Sequence, residues 1–337
     1  MKILVIRRDN IGDLVCTTPL FSALRRHYPE ARVEALVNSY NAPVLNRNPE
    51  IDSVHIYRKA KHRDAGESRI AIWWQTFRLI QRLRQTRFDL IVVATPGPQP
   101  GAVKFARWIG ATTILAHAPL GGDDHGHETE RVMRLLHPIG IVETPGALAL
   151  WADPQLAAAV AMPPGNSPLI GLHISARKPL QRWPIERFAE LAHALHANND
   201  ARFLLFWSPG AEDNPQHPGD DTKASCLLEL CRDLPLMPCR TERLEELIAG
   251  LSRCNRVICS DGGAMHIAAG LGKPIACFFG NSGAERWHPW GVPHELLQPN
   301  SRNVADIAVA EVLAACARLD HKLIPAPDHD TCQTVAG

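Results

Sequence analysis

The stretch that decides the fold runs from Arg256 to Gly280 and reads RVICSDGGAMHIAAGLGKPIACFFG. Four features are predicted within it: a buried strand over 256–260, a glycine turn over 261–263, a helix over 264–271 closed by Gly272, and a second buried strand over 275–279. Together they form a strand–helix–strand unit, the building block of a parallel sheet.

The corner after the first of these strands is a predicted ligand site. Backbone N–H groups and the positive dipole end at the start of the helix favour a phosphate. Asp261 stands at the carboxyl end of a strand, where open α/β sheets bind ligands, and its carboxylate suits sugar or ribose hydroxyls. A nucleotide-sugar carries both groups. The local pattern leaves a second interpretation open, in which Gly262 and Gly263 only form a tight turn and His266 fills space.

Length and composition restrict the class of protein. A chain of 337 residues predicts two domains, and 36 Lys and Arg against 35 Asp and Glu argue against a dedicated nucleic-acid protein. The nine cysteines show no paired zinc-type spacing, as expected for buried thiols in a reducing compartment. The N-terminal apolar run is short, and no stretch approaches the roughly 20 apolar residues of a membrane span. We therefore expect a cytoplasmic protein, or one peripheral to a membrane.

Strands and helices alternate twice along the chain. This pattern predicts an α/β protein with two doubly wound, Rossmann-like sheets facing each other across a cleft, the usual place for a ligand. The predicted divisions are an N-terminal domain over 1–150, a Pro- and Ala-rich linker over 151–167, a C-terminal domain over 168–320, and a disordered tail over 321–337.

An amphipathic helix is predicted over 70–87. Its apolar side carries Trp73, Trp74, Phe77, Ile80 and Leu83, and arginines occupy the rest. The usual interpretation is a helix that packs on the sheet. The alternative is a face that touches anionic lipid headgroups.

Asp13 is the candidate base. It follows Gly12 just after the first predicted strand, at the edge of the sheet that faces the cleft, where a carboxylate can take a proton from an incoming hydroxyl. Alternatively, Asp13 only complements the dipole of a helix.

Two further strand-end loops supply polar groups to the same cleft. Ser175, Arg177 and Lys178 offer a hydroxyl and cations to a diphosphate, and Glu212 offers a carboxylate to ribose or adenine. Each loop alone could be an ordinary solvated loop. Their convergence in one domain favours a binding site.

The chain resembles glycosyltransferase family 9, the ADP-heptose:lipopolysaccharide heptosyltransferases and their relatives, over about residues 1–320. The matching segments are Asn10–Asp13, Thr18–Pro19, His127–Arg131, Trp207–Glu212 and Ser260–Gly280. The resemblance implies a GT-B fold and an inverting transfer of a sugar, most simply heptose from ADP-heptose. It also implies that no metal or cofactor is needed beyond this nucleotide-sugar substrate.

The resemblance also assigns roles by position. Asp13 matches the general base, Ser175 a phosphate-contacting hydroxyl, and Glu212 a nucleoside-contacting acid. The donor-binding loop and helix start correspond to Asp261, Gly262, Gly263, Met265 and His266. The chain departs from the pattern at Gly262, often Thr in the family, at Ala176, and at Gln181, commonly Lys. Lys178 or Arg182 is expected to supply the missing charge.

The acceptor is expected to meet the N-terminal domain. A basic loop with Arg58, Lys59, Lys61 and Arg63 would suit an anionic glycan or lipid-linked glycan such as inner-core lipopolysaccharide, although the same loop could simply be solvated. A lipid-linked acceptor would place the protein at the inner face of the cytoplasmic membrane.

Two other functions share this architecture. A sugar-nucleotide epimerase would need further acids around the donor sugar, and the helix after Gly263 has none. A non-catalytic nucleotide-sugar-binding protein would not need both Asp13 and Asp261. Incubation of a nucleotide-sugar alone would distinguish an epimerase from a transferase.

Overall fold

The computed structural model describes residues 1–57, 69–116, 125–213 and 219–323. Within these ranges no helix combines the length and the apolar character needed to cross a bilayer.

The N-terminal sheet contains five described strands, all parallel, in the order β3-β2-β1-β4-β5. They are β1 Lys2–Ile6, β2 Arg32–Asn38, β3 Ser53–Tyr57, β4 Phe88–Val93 and β5 Ala111–Leu115. The helices around this sheet are α1 Ile11–Val15, α2 Thr18–His27, α3 Arg69–Thr86, α4 Pro100–Ile109 and α5 Glu128–Met133. The central strand β1 is buried over its last four residues, as a continuous apolar run in a parallel sheet should be.

The C-terminal sheet contains six described strands, also all parallel, in the order β11-β10-β9-β6-β7-β8. They are β6 Leu169–His173, β7 Arg202–Phe206, β8 Leu236–Pro238, β9 Arg256–Ser260, β10 Ile275–Phe278 and β11 His294–Leu297. Its helices are α6 Pro154–Ala159, α7 Ile185–Asn199, α8 Asp221–Leu230, α9 Leu244–Arg253, α10 Gly263–Gly270, α11 Ala284–Trp287 and α12 Val309–Leu323. The two sheets confirm the predicted α/β fold with two Rossmann-like halves.

The strand–helix–strand unit predicted from 256–280 is present with small shifts. The helix begins at Gly263 and ends at Gly270, and β10 ends one residue early, at Phe278. Gly272 has a φ of 71°, a left-handed conformation that glycine adopts at little cost just after a helix.

The first helix begins at Ile11, so Gly12 and Asp13 lie in its first turn. The chain breaks before α2, where Thr17 occupies the N-cap position and the Thr18 hydroxyl donates back to the carbonyl of Val15 at 2.8 Å.

Three other segments differ from expectation. The predicted linker contains α6, whose N-cap Asp153 accepts from the backbone N–H groups of Gln155 and Leu156. The start of the predicted tail, 321–323, belongs to α12, and its remainder lies outside the described residues. The apolar residues of α3 do not share one side: Ile80 and Leu83 are buried, whereas the aromatic residues predicted beside them are exposed.

The two sheets meet where α1 packs on α10. A Cβ on Gly12 would stand 2.5 Å from Cδ2 of His266, and a Cβ on Gly270 would collide with Leu150. The backbone N–H of Leu150 donates to the carbonyl of Gly270 at 2.7 Å. Glycines therefore permit the close approach of the two helices that bear the predicted site residues.

Candidate active site

A cavity opens between the two sheets and consists of two adjoining chambers. The inner chamber has a volume of about 520 Å³ and is lined by Asp13 from one sheet and by Asp261 and His266 from the other. The outer chamber, about 810 Å³, adjoins it, since Ile11, Tyr40, His173, Gly263 and Ala264 line both. The two predicted acids therefore face one space.

The Asp13 carboxylate is held by three donors. Its Oδ1 accepts from Nη2 of Arg7 at 2.8 Å, and its Oδ2 accepts from the backbone N–H and the side-chain amide of Asn10 at 3.0 and 2.9 Å. The side chain is 15% exposed, which leaves it accessible from the chamber. These contacts fix the orientation of the carboxylate before any substrate binds.

Arg7, which the sequence analysis did not select, is the centre of a buried ionic cluster. Its Nη2 contacts Asp13 and Glu128 at 2.8 Å each, and its Nε lies 3.2 Å from Asp9. Burial is the largest influence and lowers the pKa of Arg7, but the carboxylates of Asp13, Glu128 and Asp9 outweigh it and raise the pKa overall. The guanidinium therefore stays charged.

Glu128 connects this cluster to the other sheet. It is fully buried at the start of α5, and its Oε2 accepts from Nε and Nη2 of Arg286 at 2.9 and 2.7 Å. Arg286 belongs to α11, beside the C-terminal sheet. Because Arg7 binds both Asp13 and Glu128, and Glu128 binds Arg286, the orientation of the Asp13 carboxylate depends on how the two halves of the molecule pack together.

His127 adds a second contact between the halves. Its Nδ1 accepts from the backbone N–H of Thr129 at 3.1 Å, which caps α5. The proton is therefore on Nε2, which donates to the carbonyl of His288 at 2.9 Å. Burial lowers the pKa of His127 to about 3, and the ring stacks on Trp290 at a centroid distance of 4.7 Å. A neutral imidazole is thus built into this contact.

The donor corner forms around His266. The ring is buried against Gly12, its Nδ1 lies 3.6 Å from Sγ of Cys16, and its edge meets Trp287. Burial lowers the pKa of His266, and the nearby carboxylates of Asp261 and Asp13 oppose this only in part. The imidazole is therefore neutral near pH 7.

Gln181 binds Asp261 directly. Its side chain is 5% exposed, and its Nε2 donates to Oδ2 of Asp261 at 2.9 Å and to Oγ of Ser282 at 3.1 Å. In the sequence, Gln181 stands out only as a departure from the family pattern. In the structure this amide holds Asp261 toward the chamber without adding charge.

The predicted donor residues divide into two groups. Ser175, Lys178, Asp261, Gly262, Gly263 and His266 line the inner chamber. Arg182 and Glu212 are not among the described residues that line either chamber; they pair with each other at 3.3 Å. Met265 is fully buried in the core, so its side chain lies away from a ligand.

The Ser175 hydroxyl joins two strand ends. Its Oγ accepts from the backbone N–H of Ser208 at 2.8 Å, which ties the end of β6 to the end of β7 and leaves the hydroxyl proton for a ligand. Arg177 and Lys178 follow along the wall of the inner chamber. The phosphate side of the chamber therefore carries positive charge from this loop.

The outer chamber was not predicted as a unit. Apolar and polar groups line it together, from Trp207–Gly210 after β7, Arg240–Glu245 before and within α9, and Leu247 and Ile267. Such a lining suits a nucleoside, with an apolar surface for the base and polar groups for the ribose. The loop after β8 leaves the same edge of the parallel sheet as the loops after β6 and β7. This position is the feature of the sequence from which the outer chamber could have been predicted.

The predicted acceptor residues Arg58, Lys59, Lys61 and Arg63 lie outside the described residues, so their role stays a prediction. Across the described ranges, no cluster of three or more His, Cys, Asp or Glu is placed to hold a metal. The independence from metal likewise stays a prediction.

The chain is similar to known glycosyltransferases in sequence and in fold. The sequence model of glycosyltransferase family 9 (heptosyltransferase) matches residues 125–308. Lipopolysaccharide heptosyltransferase 2 of Salmonella typhimurium is 28% identical over 308 residues, covering 84% of this chain and 83% of the relative. Lipopolysaccharide heptosyltransferase 3 of Escherichia coli is 24% identical over 95% of this chain and 98% of its own length.

Solved structures show the same fold. A family 9 glycosyltransferase from Veillonella parvula superposes with a TM-score of 0.76 at 18% identity, covering 95% of this chain and 97% of its own. An E. coli heptosyltransferase solved with ADP gives a TM-score of 0.76 at 15% identity, and the match covers 95% of this chain and 100% of the E. coli chain. Since the family match spans more than half of the 337 residues, the chain belongs to glycosyltransferase family 9, the heptosyltransferase family, and is a glycosyltransferase with the GT-B fold.

Proposed function

We propose that the protein transfers heptose from ADP-heptose to a hydroxyl of a lipopolysaccharide-core or related glycan, with inversion at the anomeric carbon and without a metal. The similarity to lipopolysaccharide heptosyltransferases 2 and 3 supports this donor and acceptor class. So does the likeness in fold to an E. coli heptosyltransferase that binds ADP.

One observation carries the proposal: Asp13 and Asp261, from opposite sheets, line the same inner chamber together with the start of α10. A transferase must hold an acceptor and a donor face to face, and orientation of this kind supplies much of the rate enhancement. The chamber offers a carboxylate to each substrate and a helix N-terminus to the diphosphate.

In the proposed step, Asp13 takes the proton of the acceptor hydroxyl as that oxygen attacks the anomeric carbon of the donor. The bond from this carbon to the diphosphate breaks on the opposite side, and ADP leaves with the electron pair. The backbone N–H groups at the start of α10 stabilise the growing negative charge. Ser175, Arg177 and Lys178 contribute from the facing loop.

The remaining residues position these groups. Arg7 and Asn10 orient the Asp13 carboxylate, and Gln181 orients Asp261 toward the hydroxyls of the donor sugar. The outer chamber beside Trp207 would receive the nucleoside. Glu212 pairs with Arg182 and, at 2.6 Å, with Lys223, so Glu212 and Arg182 would reach the donor only if these pairs opened.

The acceptor side remains with the N-terminal half, where the basic loop at Arg58, Lys59, Lys61 and Arg63 suits an anionic glycan. With a lipid-linked acceptor, the protein would work at the inner face of the cytoplasmic membrane.

The test uses the purified full chain in two stages. Thermal stabilisation is measured with ADP-heptose, ADP-glucose, a UDP-sugar, ADP and UDP; a donor at about 100 times its Kd should stabilise the fold by about 2.7 kcal/mol. The stabilising donor is then incubated with truncated lipopolysaccharide cores, and the anomeric configuration of the product is determined by NMR. Stabilisation by UDP-sugars alone, or a changed sugar without any acceptor, would contradict the proposal.

A further inference from the structure

Helix α3 carries an exposed aromatic surface. Trp73, Trp74 and Phe77, here called the aromatic stripe, are 60%, 50% and 39% exposed. Their rings contact one another: Trp73 stacks on Phe77 at 5.7 Å with an interplanar angle of 10°, and Trp74 meets both rings edge-on. Large aromatic surface of this extent on a folded protein marks an interaction site.

The fold does not need the aromatic stripe. A separate face of α3 packs on the sheet through Ile72, Ile80 and Leu83, which are 4%, 8% and 0% exposed. At 100° per residue, the aromatic stripe is centred roughly 115° away from this buried face around the helix. The aromatic residues therefore face a partner outside the described residues, or solvent.

In the described segment that contains α3 and α4, the charged residues are almost all basic. Residues 69–116 hold seven Lys and Arg but a single acid, Asp89. The Asp89 carboxylate accepts from the backbone N–H of Lys2 at 2.7 Å. At 100° per residue, Arg84 lies on the side of the aromatic stripe two turns beyond Phe77, and Arg78 borders the stripe next to Trp74. Neighbouring α4 adds Lys104 and Arg107 and no acid.

Trp108 on the neighbouring helix α4 is a further exposed aromatic residue. It is 46% exposed, and Nζ of Lys104 lies 4.8 Å from its ring centroid. On its other side it contacts Phe105 at 5.9 Å, and Phe105 lies under the guanidinium of Arg8 at 4.0 Å. Two contacts thus connect the exposed indole to the loop that precedes Asp13.

We propose that the aromatic stripe, Trp108 and the surrounding arginines dock the protein onto an anionic lipid bilayer. Indole rings favour the interface between headgroups and acyl chains, and Lys and Arg favour anionic headgroups. Two copies of the same chain would instead bring these like-charged faces together, which opposes a dimer through this surface. This goes beyond the proposed function, since it holds whatever acceptor the inner chamber takes.

The test is flotation of the purified full chain with two kinds of vesicle, phosphatidylcholine alone and phosphatidylcholine with 30% phosphatidylglycerol. We expect binding to the anionic vesicles with a blue shift of tryptophan emission. The double variant Trp73→Ser, Trp74→Ser should weaken the partition coefficient by at least about tenfold. Its matched control is Val142→Ser, Leu230→Ser, which removes two exposed apolar side chains elsewhere and should bind as wild type.

Charge is tested separately. Arg78→Gln and Arg84→Gln should each weaken binding to the anionic vesicles by about fivefold, whereas Arg232→Gln, an exposed arginine on the other half, should not. Unchanged thermal unfolding of each variant shows that the fold is intact. Equal binding by the double variant, or no binding by wild type, would overturn the proposal. So would a wild-type dimer in sedimentation that the double variant converts to a monomer without any vesicle binding.

Discussion

Replacement of Gln181 by leucine tests how Asp261 is held. The change keeps the size of the side chain and removes the amide that donates to Asp261 at 2.9 Å and to Ser282 at 3.1 Å. Gln181 is 5% exposed, so leucine fills the position of its amide and leaves the Asp261 carboxylate to water from the chamber. A hydrogen bond to a charged group contributes about 1.5–3 kcal/mol net of its exchange with water, and the half-buried Asp261 carboxylate would lose that contribution.

If Asp261 binds the donor sugar, this loss appears in donor affinity. About 1.5–3 kcal/mol corresponds to a tenfold to roughly hundredfold rise in the Kd of ADP-heptose. ADP, which lacks the sugar, should bind within a few-fold of wild type. Isothermal titration calorimetry with the two ligands measures both values on one sample.

Gln298 offers a matched control. Its Nε2 donates to the backbone carbonyls of Gly280 and Ser282, at 2.8 and 3.2 Å, in the same loop but without contact to Asp261. Gln298→Leu should therefore disturb the loop without selective loss of ADP-heptose affinity. Equal affinities of Gln181→Leu and wild type for ADP-heptose, or an equal loss for ADP, would refute the reasoning.

Three further predictions concern the contact between the halves. Gly12→Ala places a methyl group 2.5 Å from the buried His266 ring and should destabilise the protein by about 1–3 kcal/mol in urea unfolding, whereas Gly97→Ala, in open space, should not. Glu128→Gln leaves Arg7 and Arg286 without their shared carboxylate and should lower the free energy of unfolding by about 2–4 kcal/mol. The control Glu143→Gln removes an exposed ion pair and should lower it by less than about 1 kcal/mol. Equal losses of stability in the two variants would contradict this prediction. The pKa of His127 falls from 6.5 unfolded to about 3 folded, so its contribution is fully present above pH 6.5 and is lost as the pH falls. Between pH 7 and 5, wild type should therefore lose about 2 kcal/mol more than His127→Asn, with the exposed His137→Asn as control, and parallel losses would be evidence against a neutral, buried imidazole.

Local patterns in the sequence were sufficient to predict the two parallel sheets and the donor corner around His266. The unit at 256–280 combines a buried run, a glycine turn and a second buried run, and each depends on neighbouring residues only. Because parallel strands place their carboxyl ends at one edge, the prediction also brought Ser175 and Asp261 to the same chamber.

The ionic cluster could not be found in this way. Arg7 and Glu128 are 121 residues apart, and Gln181 and Asp261 are 80 apart, so no spacing indicates either pair. Their burial is the decisive property, since a buried charge must find a partner, and burial of a polar residue is not visible in a hydrophobic pattern.

The helical periodicity of the sequence also did not show which apolar residues of α3 are buried and which are exposed. A helix with two apolar faces shows one broad apolar side in sequence, and only the packing separates Leu83, fully buried, from Trp73, 60% exposed. Met265 was assigned to the donor site by its position in the family resemblance, and position alone does not show that its side chain is buried in the core.

The most direct test of the central claim is transfer of heptose by Asp13→Asn, measured beside the affinity for ADP. The variant keeps the shape that Arg7 and Asn10 hold, and loses the base. The account predicts a rate lower by about 10²–10⁴-fold with ADP affinity within a few-fold of wild type. Transfer at the wild-type rate would remove Asp13 from the reaction and contradict the account.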